Sequence, residues 1–372
     1  MIDLNELSFF GTGIACLFAL TVAIQLGYYL IVFLRFARFN PSEQNLENNE
    51  PVSVIIAAHN EDFNLEKNMP FIFEQDYPNF EVVIVNHAST DDTHHVLNDF
   101  SRSHKNLKVV NIDEDLNFFK GKKFPLSIGI KSASHEILLL TDADCKPESN
   151  QWIKQMVSNY DANTEIILGY GPYSKGESFL NKIIRYDTFM IALQYFSFAI
   201  CKLPYMGVGR NLSYRKSLFL RNKGFTSHYG ISSGDDDLFI MQASNKANTK
   251  IELNSSSFMY SEPKPTFKSW ITQKQRHLST GAAYPLLFKI LLGTYSISHL
   301  LLYISFIILI ANNVLVVPSI ILFVIYLTIR FIIQKNALSK LGEGHLLLFS
   351  LFGDFIHIVL LSAISFKSLI KK

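Results

Sequence analysis

Long apolar segments lie at both ends of the chain, whereas the middle has the charge density of a soluble domain. Residues 7–34 contain no charged side chain, and residues 286–311 and 314–333 are apolar apart from single basic residues. About 20 apolar residues are enough for a helix to cross a bilayer. We therefore predict an N-terminal transmembrane anchor over residues 1–38 and transmembrane helices within residues 286–372.

A further apolar segment, residues 346–366, leaves the choice between three and four spans open. It carries Asp354 and His357 at helical spacing. If it spans the membrane, the three lysines of the C-terminal tail would lie outside, against the positive-inside rule. A transporter is an alternative function, but it would need polar residues in several spans, and only Asp354 and His357 qualify. We expect these two residues to satisfy each other or a neighbouring helix.

Basic residues predict the orientation of the chain. Arg35 and Arg38 directly follow the first apolar segment, and Asp3 and Glu6 precede it. Since a signal peptide has a basic start and a cleavage site, we predict an uncleaved anchor. The positive-inside rule then places the following domain in the cytoplasm. The expected location is a bacterial inner membrane, crossed several times.

Apolar runs alternate with helical patterns after a polar linker over residues 39–50. Alternating strands and helices predict a Rossmann-like α/β fold with a mostly parallel sheet, here as a catalytic domain over residues 51–265. The predicted strands are 52–58, 81–85, 107–112, the run leading from Ile137 to Asp142, and 166–171. The predicted helices are 65–73, one ending near 101, 122–133, 177–200 and one opening at 233.

Residues 266–285 combine an apolar face, which includes Phe267 and Trp270, with basic residues elsewhere. This pattern predicts an amphipathic helix that lies at the membrane surface, and an ordinary helix packed on the sheet would have the same pattern.

Composition narrows the function without identifying it. The apolar content of 48% and the mean hydropathy of +0.18 are high for a soluble protein. The net charge is only +2 and the basic residues are scattered, so we expect no nucleic-acid partner. The three cysteines have no paired spacing, which argues against a disulfide framework or a zinc site.

Two carboxylates, Asp142 and Asp144, follow the buried strand that starts at Ile137. Open α/β sheets bind ligands at the carboxyl ends of their strands. Two adjacent carboxylates form a hard oxygen site for Mg²⁺ or Mn²⁺, shared with the phosphates of a nucleotide. An acidic turn that caps the next helix is the alternative, and the neighbouring motifs favour the metal.

Six motifs occur in an order that resembles family 2 inverting glycosyltransferases of the GT-A fold, over roughly residues 50–285. They are the strand 52–58 with His59-Asn60-Glu61, the segment Asn86-His87 with Ser89 to Thr93, Gly121-Lys122-Lys123, Asp142-Ala143-Asp144, the acidic triplet 235–237, and Gln273 to His277. The resemblance implies a metal-dependent glycosyltransferase that uses a nucleoside-diphosphate sugar, with UDP or GDP as the nucleotide.

The resemblance also implies roles for individual residues in holding the donor. The nucleoside would be held by His59, Asn60, Glu61, Asn86 and His87, where Asn86 and His87 replace the acids usual in the family. Lys122 or Lys123 would lie near the diphosphate. Asp144 would be the direct metal ligand, with Asp142 nearer the ribose and diphosphate. Asp91 matches a later acid of the family, and a helix cap is the alternative for it.

The base that accepts the acceptor's proton would be Asp235, with Asp236 as the second choice and Asp237 structural. Because three adjacent acids repel, at least one is expected to have a raised pKa. Gln273 and Arg276 stand three apart on one helical face and match the motif that closes over the diphosphate. His277 replaces the family's Trp.

The acceptor implied is a lipid-linked molecule or a glycan. One alternative is a processive polysaccharide synthase, which with so few spans would need a membrane partner or an oligomer. Another is a catalytically silent protein that binds nucleotide-sugars. Retention of Asp144, Asp235 and Arg276 argues against the silent protein.

Overall fold

The computed structural model describes residues 9–41, 45–113 and 121–370, with side chains up to residue 365. The chain divides into two compact units. One unit consists of Asn40–Ala283, and the other combines the two ends of the chain, up to Phe39 and from Tyr284.

A seven-stranded sheet forms the centre of the first unit. Nine strands are described in the unit, of which seven build this sheet in the order β3-β2-β1-β4-β7-β6-β8 and two form a small antiparallel ribbon, β5-β9. They are β1 (Val52–Ala58), β2 (Phe80–His87), β3 (Leu107–Ile112), β4 (Ile137–Leu140), β5 (Cys145–Pro147), β6 (Ile166–Leu168), β7 (Leu212–Arg215), β8 (Thr249–Ile251) and β9 (Met259–Ser261). Only β7 runs antiparallel to its neighbours in the large sheet. The predicted α/β fold with a mostly parallel sheet is confirmed.

Helices alternate with these strands. Those before Phe39 are α1 (Phe9–Gly27) and α2 (Leu34–Arg38), and those of the sheet-containing unit are α3 (Asp62–Phe73), α4 (Thr93–Ser103), α5 (Lys123–Ser132), α6 (Trp152–Val157), α7 (Phe179–Ile200), α8 (Lys216–Arg221), α9 (Asp237–Ala243) and α10 (Phe267–Leu278). Every residue of β4 is buried, so side chains on both faces of this strand are shielded from water, which explains its uninterrupted apolar sequence.

The register of the parallel strands brings functional segments to one edge. Ile55 of β1 pairs with Leu140, the last residue of β4, and Ala58 pairs with Asn86 of β2. Since parallel strands point the same way, the loops after β1, β2 and β4 leave the sheet at its carboxyl edge. The motifs that follow β1, β2 and β4 in the sequence therefore meet at this edge.

Several predicted elements have different limits in the structure, and two of them show the physical reason. The strand predicted over 166–171 ends at Leu168, because Gly169 packs against the side chain of Asn211 instead of continuing the strand. The helix predicted to open at residue 233 begins at Asp237, since Gly234 has a φ of +98° that no helix allows.

The predicted helix 266–285 consists of α10 followed by a 3₁₀ helix, Ser279–Ala283. Trp270 and Lys274 of α10 are buried within the same unit as the sheet. This burial matches the alternative of an ordinary amphipathic helix packed on the domain.

Residues 45–50 of the predicted linker pack on the sheet-containing unit. The backbone N–H of Asn45 donates to the Ser158 carbonyl (3.1 Å). Glu50 accepts a charged hydrogen bond from Arg215 (3.1 Å), and its carbonyl accepts one from the Tyr77 hydroxyl (2.6 Å). The polar composition of this segment therefore reflects surface packing.

The other unit consists of apolar helices. A continuous helix Phe9–Arg38 includes α1, a π-helical stretch Tyr28–Phe33 and α2, and residues 7 and 8 of the predicted span lie outside the described residues. The remaining helices are α11 (Leu286–Ala311), α12 (Val316–Lys340) and α13 (Ser350–Ile370). Among the described residues, Phe9–Arg38, α11 and α12 have the length and composition to cross a membrane, and the apolar part of α13, Ser350–Ser365, is shorter.

A buried polar cluster joins the last three helices. The Asp354 carboxylate accepts hydrogen bonds from Arg330, from His299 Nε2 (2.7 Å) and from the Tyr303 hydroxyl (2.8 Å). Arg330 and Asp354 have no exposed side-chain surface. The expectation that Asp354 finds a partner on a neighbouring helix is met, since opposite charges that pair inside an apolar bundle avoid most of the cost of burying either one alone.

Candidate active site

Asp142 and Asp144 leave the carboxyl end of β4, where the sequence predicted a metal site. Their carboxylate oxygens and the Cys145 sulfur lie within 4.8 Å of one another. Asp144 accepts hydrogen bonds from the Ser261 hydroxyl (3.3 Å) and from the Cys145 thiol (3.3 Å). Burial raises the pKa of Cys145, so its sulfur stays protonated and the two carboxylates are the hard oxygen donors. This donor set fits Mg²⁺ or Mn²⁺.

Lys122 forms an ion pair with a member of this acidic pair. Its ammonium lies 2.6 Å from Asp142 Oδ1, and both side chains remain partly accessible. Burial opposes ionisation of Asp142, but Lys122, Arg210 and Arg276 outweigh it and lower its pKa. Asp142 is therefore a carboxylate at neutral pH, stabilised by the charges of these three residues.

Lys123, its neighbour, is directed elsewhere. Its side chain is buried, and its ammonium donates to the carbonyls of His228 (2.6 Å) and Ile231 (2.9 Å). Gly121 approaches the same loop, because a Cβ at this position would lie 2.2 Å from the Ser232 carbonyl oxygen. Lys122 thus contacts the acidic pair, while Gly121 and Lys123 hold the loop that leads to Asp235.

The acidic triplet has three different environments. Asp236 caps α9: its Oδ1 accepts from the Asp237 N–H (2.8 Å) and its Oδ2 from the Gly209 N–H (3.0 Å). Asp237 is buried and accepts from the Thr280 hydroxyl (2.5 Å) and the Leu238 N–H (2.7 Å). Both of these acids therefore support the local structure.

Asp235 faces the other charged groups of the site. Burial raises its pKa, Asp142 adds to this effect, and Lys122 opposes it. Burial together with the charges of Asp235 and Asp237 raises the pKa of Asp236 to about 8. The expected raised pKa in the triplet is therefore found, and Asp235 is the member whose pKa responds to the charges of Lys122 and Asp142.

The loops after β1 and β2 bind each other. Asn60, with a φ of +56°, donates its N–H to Ser89 Oγ (3.0 Å) and accepts from the Thr90 N–H (2.8 Å). His59 Nδ1 lies 2.6 Å from the His87 carbonyl oxygen. These contacts bring the predicted nucleoside-binding segments together at the carboxyl edge.

Three acidic or amide side chains of this region have defined partners. Burial raises the pKa of Glu61, and the charges of Asp144 and Asp142 also act in this direction. Asn86 donates its amide to Asn111 (3.1 Å). Asp91 accepts from the N–H groups of Thr93 (3.1 Å) and Asp62 (3.3 Å), the first residues of α4 and α3, so its contacts agree with the predicted alternative of a role at a helix start.

Gln273 and Arg276 of α10 contact residues around the same edge. Gln273 donates to the Tyr173 hydroxyl (3.2 Å), and Arg276 Nη1 donates to Ser233 Oγ (3.4 Å). Arg276 Nη2 lies 3.1 Å from His277 Nε2. Burial and the charge of Arg276 lower the pKa of His277, so a neutral imidazole accepts this hydrogen bond.

Arg210 also lies at this site, although the sequence analysis did not predict it. Its Nε donates to the Gly171 carbonyl (2.8 Å), and its guanidinium carbon lies 4.5 Å from the centre of the Tyr173 ring. A Cβ on Gly171 would lie 2.4 Å from Arg210 Nε, so this glycine is needed for the close approach. The signal in the sequence was the Gly-Tyr-Gly of residues 169–171 together with a charged residue just before a strand.

Comparison with known proteins gives sequence matches over parts of the chain. Glycosyltransferase AglE of Haloferax volcanii is 32% identical over 120 residues, 32% of this chain and 38% of AglE. Poly-beta-1,6-N-acetyl-D-glucosamine synthase of Staphylococcus epidermidis is 34% identical over 95 residues, 26% of this chain and 22% of the synthase. Probable glycosyltransferase YdaM of Bacillus subtilis is 25% identical over 205 residues, 52% of this chain and 47% of YdaM. The chain thus spans less than half the length of these relatives.

A solved structure agrees with the whole fold. The mannosyltransferase PcManGT from Pyrobaculum calidifontis, determined with GDP-Man and Mn²⁺, superposes with a TM-score of 0.64 at 20% identity and covers 97% of this chain and 99% of its own. The sequence pattern of Glycosyl transferase family 2 matches residues 53–221, and that of Glycosyl transferase family group 2 matches residues 148–366, more than half of the 372 residues. The protein therefore belongs to the family 2 glycosyltransferases.

Proposed function

We propose that this protein is a membrane-anchored, inverting glycosyltransferase that moves a sugar from a nucleoside-diphosphate sugar to a lipid-linked or glycan acceptor. What supports this proposal is the Lys122–Asp142 ion pair (2.6 Å) together with the electrostatic effect of both residues on the pKa of Asp235. A carboxylate that can take a proton and a cation that can neutralise a leaving diphosphate thus lie at one edge of the sheet. These are the two groups that a single displacement at a sugar carbon needs.

In the proposed reaction, Asp235 removes the proton of the acceptor hydroxyl. The acceptor oxygen then forms a bond to the anomeric carbon, while the bond from that carbon to the diphosphate oxygen breaks. The electron pair of the broken bond leaves with the nucleoside diphosphate. Attack from the face opposite to the leaving group inverts the anomeric configuration.

Among the described residues, three cations would be available for the leaving diphosphate: Lys122, Arg210 and Arg276. All three lower the pKa of Asp142, so each lies close enough to act on charge at this position. Asp144 and Asp142 would hold Mg²⁺ or Mn²⁺, which when bound supplies further positive charge to the diphosphate. Fixed cations and hydrogen-bond donors in a site that excludes water stabilise developing charge more than solvent does.

The donor nucleoside would lie between the loops after β1 and β2, at His59, Asn60, Glu61, Asn86 and His87. Hydrogen bonds between the two loops hold them in one arrangement before any ligand binds. Such preorganisation lowers the cost of ordering the site on binding.

The catalytic domain would lie in the cytoplasm of a bacterial cell, where nucleotide-sugars are made. The basic pair Arg35 and Arg38 at the end of the helix Phe9–Arg38 supports this orientation. The acceptor would then be reached at the inner face of the membrane.

A processive polysaccharide synthase is the second candidate. The match to a poly-beta-1,6-N-acetyl-D-glucosamine synthase favours it, whereas His277 in place of the family's Trp argues for single transfers. The length of the glycan product separates the two.

The deciding experiment is a panel of UDP- and GDP-sugars incubated with the detergent-solubilised full chain and Mn²⁺ or Mg²⁺. We expect one donor to release nucleoside diphosphate, with the release abolished by chelation and by Asp235→Asn. Binding of a donor without release in any condition would identify a silent binding protein. Absence of both binding and release across the panel would refute the proposed function.

A further inference from the structure

A buried ion pair connects α10 to α7, outside the residues assigned to the reaction. The Lys274 ammonium lies 2.8 Å from Asp187 Oδ2, and each side chain retains only 6% of its accessible surface. Lys274 stands next to Gln273 and two residues before Arg276. The pair therefore attaches to the fold the same helix that carries two proposed donor-binding residues.

Stability alone is a poor reason for this pair. Removing two charges from water costs about as much as their attraction returns, and well-packed apolar residues often serve equally well. A charged hydrogen bond differs from apolar packing in having a defined direction and length. What the pair adds to α10 is a fixed rotation and a fixed position along the helix axis.

The rotation of α10 matters because its functional residues occupy a narrow face. Gln273 reaches Tyr173 and Arg276 reaches Ser233, at 3.2 and 3.4 Å. With 3.6 residues per turn, a slip of one residue turns a helix by about 100° and would remove both side chains from these partners. Trp270, the other buried residue of α10, lies one turn before Lys274, and apolar burial of this kind tolerates small rotations more readily than a charged hydrogen bond does.

We propose that the Asp187–Lys274 ion pair is a positioning device that holds α10 in the register in which Gln273 and Arg276 reach the diphosphate of the donor. This inference rests on the proposed function, because it takes the diphosphate as the ligand of Arg276. Neither member of the pair needs to touch the substrate. Both act through the residues that α10 carries.

Four variants test the pair in the full-length protein. Lys274→Met removes one charge, the reversed pair Asp187→Lys/Lys274→Asp restores an ion pair with opposite polarity, and Asp187→Leu/Lys274→Met replaces it with apolar side chains. Lys268→Met is the matched control, since it removes an exposed lysine from the first turn of the same helix. Donor KM, kcat and the melting temperature are measured for each.

We expect Lys274→Met to lower kcat/KM for the donor by about 10–100-fold, because a displacement of about 1 Å in a site can cost this much. Lys268→Met should match the wild type. The apolar pair should recover the wild-type melting temperature without recovering kcat/KM, whereas the reversed pair should recover part of both. If the apolar pair restores activity together with stability, the ion pair only stabilises the fold and the proposal is wrong.

The sharpest comparison places Lys274→Met in an Arg276→Gln background. If Lys274 acts by positioning α10, its loss should change donor KM and kcat in the same proportion as Arg276→Gln, and the double variant should be little worse than Arg276→Gln alone. If instead the decrease in kcat/KM of the double variant equals the product of the two single decreases, Lys274 acts independently of Arg276. This outcome would overturn the proposal.

Hydrogen exchange separates failure of this inference from failure of the proposed function. Faster exchange of the α10 amides in Lys274→Met, and not in Lys268→Met, is expected whatever the protein catalyses. Unchanged exchange in α10 would refute the positioning role. If the α10 amides exchange faster in Lys274→Met but Arg276→Gln alone leaves donor affinity unchanged, the assignment of the diphosphate site is wrong. The role of the ion pair in positioning α10 would still be supported.

Discussion

Replacing Asp235 and Asp236 one at a time by Asn should separate catalysis from folding. The two residues are adjacent, but Asp236 accepts two backbone N–H groups and Asp235 faces Lys122 and Asp142. If Asp235 is the base, Asp235→Asn should lower transfer by about 10²–10⁴-fold, the usual contribution of a positioned general base. Its carboxamide removes a buried charge without removing a cap, so the melting temperature should stay the same or rise.

Asp236→Asn should mainly affect stability. An amide can accept from only one of the two N–H groups, at Gly209 and Asp237, and its own N–H₂ group would face the other donor. Leaving one buried donor unpaired costs about 1–3 kcal/mol. Each kcal/mol lowers the melting temperature of a domain of 150–250 residues by roughly 2–4 °C.

The raised pKa of Asp236 adds a dependence on pH. The native state holds the proton of Asp236 more tightly than the unfolded state does, because the pKa of Asp236 is 3.8 when unfolded and about 8 when folded. The stability that Asp236 contributes therefore falls as the pH rises from 3.8 to about 8. The melting temperature of the wild type should therefore approach that of Asp236→Asn as the pH is raised from 6 toward 9.

Donor turnover and thermal unfolding, measured on both variants, decide between the two roles. Asp99→Asn serves as a control, because it removes an exposed carboxylate on α4. Loss of donor binding in Asp235→Asn would mean that this residue holds the donor. A larger transfer defect in Asp236→Asn than in Asp235→Asn would move the base by one position and refute the reasoning from hydrogen bonds.

Three further changes test other parts of the site and the topology. Asp144→Asn should abolish turnover that depends on divalent cations while thermal unfolding stays the same, because an amide is a poor ligand for a hard cation; unchanged activity would remove Asp144 from the metal site. Gly171→Ala should displace Arg210 and raise donor KM, and an unchanged KM would show that Arg210 has no part in donor binding. Glu47→Cys, in a chain without other cysteines, should react with an impermeant maleimide only after the membrane of spheroplasts is opened. Labelling from outside would overturn the cytoplasmic orientation.

The first half of the sheet could be predicted closely from sequence. The strands at Val52–Ala58 and Leu107–Ile112 have the predicted limits. Both are apolar runs bounded by polar loop residues, so local sequence and burial agree. The strand predicted over 166–171 was too long, because Gly169 and Gly171 serve close approaches to Asn211 and Arg210. These contacts come from residues 42 and 39 positions away and leave no periodic signal.

Sequence also could not distinguish neighbours within a motif. Lys122 and Lys123 have the same chemistry, and only the turn at Gly121, with its φ of +86°, sends one ammonium to Asp142 and the other into the loop at His228. Similarly, Asp235, Asp236 and Asp237 have the same side chain and differ only in their position relative to the start of α9. The start of α9 at Asp237 makes Asp236 the cap and leaves Asp235 in the preceding loop.

The segment Gly121-Lys122-Lys123 thereby links the two halves of the proposed reaction. Lys122 binds Asp142 on the donor side, and Lys123 binds the loop that ends in Asp235 on the acceptor side. Lys123 also lies within electrostatic reach of all three acids of the triplet, so its buried charge offsets part of their mutual repulsion. A base and a leaving group must be held at a fixed separation across the sugar carbon, and adjacent residues of one short turn set that separation with few free torsions between them.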